Sequence, residues 1–229
     1  MSWWLVSFAR RGPARYLSHL DTARVVQRTF ARAGVPIALS RGMRPKPHLS
    51  LPLPLPVGAE GSDELAVVEV PEDTASDAAT LKALRAASPV GFEPLRIVDV
   101  GERRVRPQVR AATYACVLDG DAGAVAAAVE RYNHTKDAVR ERVSPKGTRR
   151  LDLKEYAGSI TATPGDGETR LEFTIRHRSD GAARPQELLD LIAEWAQVEP
   201  AMRGLERLRV VWKDVPPAGC PPAAEGVDP

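Results

Sequence analysis

The chain of 229 residues has few of the side chains that metal and redox sites require: two cysteines, four histidines and 5% aromatic residues. Cys116 and Cys220 lie far apart, so they indicate neither a metal-binding pair nor a disulfide framework. The sequence contains no glycine-rich nucleotide-binding motif, nucleophile elbow or HExxH motif. We therefore expect no cofactor and no metal site.

The sequence also lacks long apolar runs, and none approaches the roughly 18 residues that cross a membrane. Its start, MSWWLVSFARRG, places a short apolar run ahead of the charges and has no small-residue cleavage site. This pattern is not that of a signal peptide. These absences predict a cytoplasmic protein that has no membrane partner.

What is present is typical of a globular protein, with 43% hydrophobic and 27% charged residues in a chain long enough for one or two domains. The net charge of +2 hides an uneven distribution. Residues 1–50 carry nine Lys or Arg against one acid, residues 101–150 carry eleven against six, and the other two stretches are net acidic. Either the basic stretches gather on one face that receives an anionic partner, or all four intermix on the surface.

Hydrophobic periodicity predicts an α+β fold. Both faces of Trp3–Ala9 are apolar, which indicates a central strand, and Ser18 with Asp21 predicts the capped start of a helix that ends near Ala33. Further strands are predicted at 35–40, 65–70, 92–100, 113–118, 138–143, 151–162, 171–177 and 205–213, and further helices at 77–87, 121–134 and 185–196. Apart from edge segments, the order βαββαβ occurs twice, which predicts two tandem ferredoxin-like units with antiparallel sheets.

The predicted domain limits follow from this repeat and from composition. The first unit covers residues 1–102 and the second covers residues 112–214. A basic, proline-containing connector at 103–111 joins them. Residues 215–229 are rich in Pro, Ala and Gly, which predicts a disordered tail.

The segment Ser40–Gly58, SRGMRPKPHLSLPLPLPVG, is the least ordinary part of the chain. Pro52, Pro54 and Pro56 alternate with leucines, so in a strand they remove N–H donors from one edge and leave the other edge able to pair. This pattern predicts a proline-rich edge strand in the first unit whose outer side cannot accept another strand. The alternative is a polyproline-like loop.

Two basic, glycine-containing segments lie between the second and third strands of the predicted units. They are the basic loop, Arg41–His48, and its counterpart, Lys146–Arg150. Such loops either bind phosphate groups or serve as solvated connectors. If they bind, we expect RNA or another anion to contact the following side chains: Arg15, Arg41, Arg44, Lys46, His48, Lys146, Arg149 and Arg150.

Acid–base chemistry by histidine is a separate hypothesis. His19 beside Asp21, and His48 in the basic loop, are the candidate catalytic groups. The alternative interpretation of Ser18, His19 and Asp21 is helix capping with a hydrogen-bonded ring, and we prefer it. His19, Asp21 and His48 do not have the spacing of a metal-ligand motif.

In five segments the chain resembles the radical SAM-linked (radical SAM-associated) proteins, a family of unknown function. The segments are FARRGPARYLSHLD (Phe8–Asp21), RAGVPIALSRG (Arg32–Gly42), PKPHLSLPLPLPVG (Pro45–Gly58), KGTRRLDLKEY (Lys146–Tyr156) and GAARPQELLDLI (Gly181–Ile192). The resemblance implies a cytoplasmic bacterial protein that is encoded beside, or fused to, a B12-binding-type radical SAM protein. It implies no established activity.

One departure from that family bears on the basic loop. Members usually carry Gly-Phe-x-Pro-His-Pro before the proline-rich segment, where this chain reads Gly-Met-Arg-Pro-Lys-Pro. Lys46 therefore occupies the usual histidine position, and His48 follows two residues later. A role that needs a cation there is retained. The chain also has no CxxxCxxC triplet, so it cannot itself hold the radical SAM iron–sulfur cluster.

Three functions are compatible with these observations. The first is a non-catalytic accessory protein that binds RNA or a ribonucleoprotein substrate and acts with a radical SAM partner. The second is a metal-independent endoribonuclease of RAMP-like fold that uses His19 or His48. The third is a protein–protein docking module that does not bind RNA. We favour the first because the basic loops, the predicted fold and the resemblance agree with it.

Overall fold

The computed structural model describes residues 1–145, 147–179, 181–199, 202–213 and 215, without the side chains of Ser144 and Met202. Lys146 and all of the predicted tail beyond Val215 lie outside the described residues. The chain divides into two compact units, which are described separately. Unit 1 comprises Met1–Pro54, Glu64–Gln108 and the described residues from Trp212; unit 2 comprises Leu55–Asp63 and Val109–Val211.

Unit 1 alternates strands and helices. Its elements are β1 (Ser2–Arg10), a 3-10 helix (Gly12–Tyr16), α1 (His19–Arg32), β2 (Leu49–Ser50), β3 (Glu60–Val70), α2 (Ala78–Ala87) and β4 (Phe92–Asp99). The strands lie in the order β4-β1-β3, with the short β2 on the other side of β3. The pairs β1–β4 and β2–β3 are antiparallel.

The centre of unit 1 is β1, all nine residues of which are buried. Trp4, Val6 and Phe8 pack in the main core with residues of α1, α2 and β3. Trp3 and Leu5, which point to the opposite face, pack in a second cluster. The predicted central strand with two apolar faces is confirmed, since side chains alternate across a strand.

The start of α1 is fixed as the sequence predicts. Ser18 has an extended backbone, and its Oγ accepts a hydrogen bond of 3.1 Å from the backbone N–H of Asp21. This bond satisfies one of the N–H groups that a helix start leaves without an intrahelical partner. Gly34, with φ of 73°, follows the helix end, where a left-handed conformation favours glycine.

The predicted strand at 35–40 and the proline-rich edge strand are both wrong. The first is a loop with a single bridge between Leu39 and Pro47, and the second is reduced to β2, which ends before Leu51. The segment with three alternating prolines forms no strand. Each proline fixes φ near −65° and lacks an N–H, so the chain leaves the sheet where they begin. The loop interpretation is the correct one.

Unit 2 contains more strands than predicted. Its elements are β5 (Val109–Asp119), α3 (Ala122–His134), β6 (Val139–Ser144), β7 (Gly147–Asp152), α4 (Leu153–Tyr156), β8 (Ala157–Pro164), β9 (Glu168–Arg176), α5 (Pro185–Ala196) and β10 (Met202–Trp212). The sheet order is β10-β5-β9-β8, and β9 is antiparallel to both neighbours. Glu60–Gly61, at the start of β3, pair in parallel with Glu206–Arg207 of β10.

Two expectations for unit 2 are corrected by this order. The segment 138–143 does not join the sheet, because β6 and β7 form a separate antiparallel hairpin, and β8 takes the place beside β9 instead. The predicted basic loop Lys146–Arg150 is mostly strand, with Arg149 and Arg150 on β7. Cross-strand pairing with β6, including Arg142 opposite Arg149, extends this segment.

Buried aromatic and aliphatic residues hold the helices of unit 2 on its sheet. Tyr114 of β5 and Phe173 of β9 are paired in register, and their rings stack with centroids 5.9 Å apart. The hydroxyl of the buried Tyr132, on α3, donates to the carbonyl of Ala157 at 3.0 Å.

The described chain is a mixed helix-and-strand protein whose strand pairing is mostly antiparallel, in agreement with the predicted α+β class. Among the helices in the described ranges, none is long and apolar enough to cross a membrane.

Candidate functional site

The basic loop is closed at its base by backbone hydrogen bonds. The N–H of Ser40 donates to the carbonyl of Lys46 at 2.8 Å, and the N–H of Lys46 donates to Ser40 Oγ at 2.9 Å. One residue further out on each side, Leu39 and Pro47 form the bridge. Gly42 has φ of 128°, a conformation that residues with a Cβ rarely adopt. The loop therefore has a defined shape in the absence of regular secondary structure.

The three cations of this loop point to solvent. Arg41, Arg44 and Lys46 are all exposed, and within the described part of the chain none of them forms an ion pair. Met43, between two of them, is fully exposed as well. The loop thus offers three unpaired positive charges and one apolar side chain to a ligand.

His48, at the end of the loop, is held from several sides. Its Nδ1 hydrogen-bonds to the carboxylate of Glu69 on β3, and its ring lies nearly parallel to that of Trp3, with an angle of 9° and centroids 6.3 Å apart. Its backbone N–H donates to Ala38 at 2.8 Å, and its carbonyl accepts from the N–H of Glu69 at 3.0 Å. The side chain of His48 is 40% exposed, and that of Glu69 is 15% exposed.

The connector after β4 approaches the same tryptophan. The guanidinium of Arg104 lies 5.1 Å from the centre of the Trp3 ring, within the range of a cation–π contact. Sequence reasoning identified the connector as basic and identified His48, but it missed Glu69, Trp3 and Arg104 as neighbours of His48. The signal in the sequence that could have identified Glu69 is its position as an acidic residue within the predicted strand 65–70.

His19 and Asp21 are not hydrogen-bonded to each other in the described part of the chain. Asp21 accepts from the Ser18 hydroxyl and from Arg24 Nη1, both at 2.7 Å, and these two contacts lower the pKa of its carboxyl. His19 is exposed, and its ring has no hydrogen bond with any described residue. Helix capping by Ser18 is therefore confirmed, whereas the hydrogen-bonded ring of the same interpretation is not found among the described residues.

Arg15, another predicted RNA contact, donates to the hydroxyl of Tyr16 at 2.7 Å, and its guanidinium lies over the Tyr16 ring.

In unit 2, Arg149 and Arg150 are exposed residues of β7 that line a cavity of about 330 Å³. The Nη2 of Arg149 donates to the hydroxyl of Tyr156, which also lines the cavity, at 3.4 Å. Lys146, the third predicted cation of this segment, lies outside the described residues.

Other arginines of the β6–β7 hairpin are bound to carboxylates of α5. Arg142 makes two hydrogen bonds of 2.6 Å to the two oxygens of Glu187, and Arg140 pairs with Glu194. The paired carboxylate raises the pKa of Arg142 above its ordinary value. Sequence reasoning missed these pairs because the acids lie about 45 to 54 positions further along the chain.

Metal and thiol chemistry have no candidate in the described ranges. No group of three or more His, Cys, Asp or Glu side chains there could hold a metal ion. Cys116 is buried, and burial raises the pKa of its thiol to about 12, so the thiolate that reacts with electrophiles is not formed near neutral pH.

Fold and site together define an α+β protein with one shaped, cationic loop. The chain belongs to the family described as "Uncharacterized protein conserved in bacteria (DUF2344)", whose model matches residues 4–185. None of the curated proteins is similar to it in sequence. A solved structure described as "Crystal structure of putative glycine cleavage system transcriptional repressor" is 9% identical, with a TM-score of 0.22, over 90% of this chain and 98% of that chain. That TM-score is too low to indicate a shared fold.

Proposed function

We propose that this protein is an accessory protein that binds RNA, or a ribonucleoprotein substrate, through the basic loop of unit 1 and acts with a radical SAM enzyme. The observation that carries the proposal is the closed loop whose three exposed cations have no ion pair in the described chain. Cations that are not bound to protein carboxylates are available to neutralise phosphates, which supply most of the affinity of protein for nucleic acid.

The fold supports this proposal. We propose that each unit is ferredoxin-like. In unit 1 the strands lie in the order β4-β1-β3-β2, which is last, first, third and second along the chain. In the main sheet of unit 2 the order is β10-β5-β9-β8, which is again last, first, third and second. Four-stranded sheets also occur in RNA-binding modules.

Other cations belong to the proposed contact set, some in unit 1 and some in unit 2. Arg104 reaches Trp3, which also contacts His48, so the connector adds positive charge beside the basic loop. Arg15, Arg149 and Arg150 are exposed or partly exposed and belong to the proposed contact set. For Lys146 the assignment rests on its position in the sequence.

The radical SAM partner comes from the resemblance in sequence. Recovery of a tagged copy from its native bacterium, followed by identification of bound RNA and protein, tests this part. Co-purification of a radical SAM enzyme with RNA supports the proposal. The same enzyme without RNA favours the docking module, and the absence of such an enzyme contradicts the partnership.

RNA binding is tested by reversing two charges of the basic loop. Arg44→Glu with Lys46→Glu should lower the affinity for a labelled single-stranded RNA at least about tenfold, and should reduce the slope of log K against log salt by about 1.4, since each contact with a single strand contributes about 0.7. Fluorescence anisotropy over a series of salt concentrations measures both quantities.

The matched control is Arg28→Glu with Arg32→Glu. These arginines are exposed on α1 in the same unit, so the control changes the net charge equally. It should retain the salt slope of the wild type. Equal losses in the two variants would show a diffuse charge effect, and unchanged binding by the loop variant would refute the proposal.

A further inference from the structure

We infer that His48 and Glu69 form a general-base pair that cleaves bound RNA by activating its 2′-hydroxyl. The inference rests on the proposed binding of RNA by the basic loop, and it replaces the non-catalytic role with the endoribonuclease reaction that the sequence analysis gave as an alternative. Its basis is the hydrogen bond between the imidazole and a carboxylate from a different element, directly after the cationic loop.

The contact with Glu69 selects the reactive nitrogen of His48. When Nδ1 donates its hydrogen to a carboxylate, the neutral ring carries its lone pair on Nε2. The side chain is 40% exposed, so a ligand can approach the ring, and in the proposed step it does so at Nε2. Glu69, which is 15% exposed, also stabilises the imidazolium that forms when His48 accepts a proton.

The orientation of the ring is fixed by its surroundings. Trp3 lies parallel to it, and two backbone hydrogen bonds join His48 to Ala38 and Glu69. Arg104 approaches Trp3, and Glu69 is the acid that contacts the ring. A general base held in this way does not have to be ordered when the substrate arrives.

The other three histidines lack this arrangement. His19 has no hydrogen bond to a described residue. His134 contacts the carbonyl and the carboxylate of Glu130 in its own helix and is highly exposed. His177 is half-buried, and burial followed by the charge of Arg207 lowers the pKa of its ring. Among the described contacts of the four histidines, His48 is thus the one whose ring meets a largely buried carboxylate from a different element.

The proposed step is an internal transesterification. His48 Nε2 takes the proton of the 2′-hydroxyl, the 2′-oxygen forms a bond to the adjacent phosphorus, and the bond from phosphorus to the 5′-oxygen breaks. The leaving 5′-oxygen takes a proton from water, and the hydroxide is neutralised by the proton that His48 releases. The products are a 2′,3′-cyclic phosphate and a 5′-hydroxyl. Cations of the basic loop stabilise the added negative charge on the phosphorus oxygens.

The experiment follows cleavage and binding of one labelled single-stranded RNA in EDTA. The wild type should produce 2′,3′-cyclic phosphate ends, and an RNA with 2′-deoxy sugars should stay intact. His48→Gln should slow cleavage at least about 100-fold, the usual contribution of a general base, and lower the affinity by no more than about tenfold, as the loss of one RNA contact implies. His19→Gln, the matched control, should cleave like the wild type.

Glu69→Gln tests the positioning role. The amide keeps the shape of the side chain but removes the negative charge beside the ring, so the maximal rate of cleavage should fall at least about tenfold while the affinity for RNA stays within about threefold. A maximal rate equal to that of the wild type would contradict this role. Cleavage of 2′-deoxy RNA, or cleavage that persists in His48→Gln, would overturn the inference. RNA that is bound but never cleaved would overturn it and leave the proposed function intact, whereas failure to bind would overturn both.

Discussion

The basic loop of unit 1 and the β6–β7 hairpin of unit 2 are alike in composition, because both are short, basic and contain a glycine with a positive φ. Their cations have different surroundings. Arg41, Arg44 and Lys46 have no ion pair within the described chain, whereas Arg140 and Arg142 are bound to the carboxylates of α5. The first set is available to a ligand, and the second set holds the hairpin to a helix of its own unit.

The difference follows from which element packs against each segment. The β6 strand of the hairpin pairs with Glu187 and Glu194 of α5, so Arg140 and Arg142 are neutralised within unit 2. Glu69, which contacts the end of the basic loop, is engaged by His48 and forms no ion pair with the arginines within the described chain. The number of cations in a segment therefore says less about binding than the acids opposite to it.

The largest expected effect is a loss of stability on removing Arg142 from the β6–β7 hairpin. Arg142→Ala leaves Glu187, whose side chain is 18% exposed, without its cation. We expect the free energy of unfolding of unit 2 to fall by about 2 kcal/mol, since hydrogen bonds to charged groups contribute about 1.5–3 kcal/mol. Denaturant unfolding and hydrogen exchange in α5 measure it.

Arg44→Ala is the matched variant in the basic loop. Because Arg44 is exposed and has no ion pair in the described chain, its removal should change stability by less than about 0.5 kcal/mol and should weaken RNA binding. Arg142→Ala should have the opposite pattern. Comparable effects of both variants on both properties would remove the distinction between the two segments.

Acid should weaken the hairpin contact selectively. Partial burial raises the pKa of Glu187, but its hydrogen bonds with Arg142 and Arg184 outweigh this, and the pKa lies below the ordinary value of 4.5. A carboxyl of this kind stabilises the fold above its unfolded pKa and loses that contribution as the pH falls through its folded pKa. Unit 2 should therefore lose stability below about pH 4.5.

Glu187→Gln provides the comparison for this pH dependence. The amide does not titrate, so the variant should be less stable at neutral pH and its stability should fall less steeply in acid. Chemical unfolding at a series of pH values measures both slopes. Identical slopes for the variant and the wild type would show that Glu187 does not cause the acid sensitivity.

The smallest effect concerns the shape of each segment. Gly42 and Gly147 have φ of 128° and 118°, and an added Cβ would meet no atom within 4 Å at either position. Alanine at each should therefore cost about 1 kcal/mol of backbone strain. If only the basic loop must keep its shape to bind, Gly42→Ala should lower RNA affinity about fivefold, as 1 kcal/mol implies, and Gly147→Ala should not. Equal RNA affinities of the Gly42→Ala and Gly147→Ala variants would contradict the requirement that the basic loop keep its shape to bind.

Local signals in the sequence predicted some elements well. The apolar alternation of Trp3–Ala9 identified β1, and Ser18 with Asp21 identified the start of α1, because strand periodicity and helix capping depend on neighbouring residues. The prediction of a proline-rich edge strand was wrong, and the reason is local. Fixed φ values at Pro52, Pro54 and Pro56 outweighed the donors that the intervening leucines retain.

The candidate site was predicted in part. Arg41, Arg44 and Lys46 were identified from charge and loop composition, and the structure places them on a closed, exposed loop. Glu69 and Trp3 were not identified, because each comes to His48 from a different strand. Nothing in the spacing of these residues encodes that contact.

The sequence by itself determined the α+β class, the central strand, the capped helix and the presence of a basic loop, since each depends on residues that are close in the chain. Only the tertiary structure decided which cations have no ion pair within the described chain and that His48 meets a carboxylate from a strand distant in sequence. Arg142 meets an acid 45 residues away, and His48 meets one 21 residues away. Such pairs form because the sheets and helices bring distant residues together, and no local pattern specifies them.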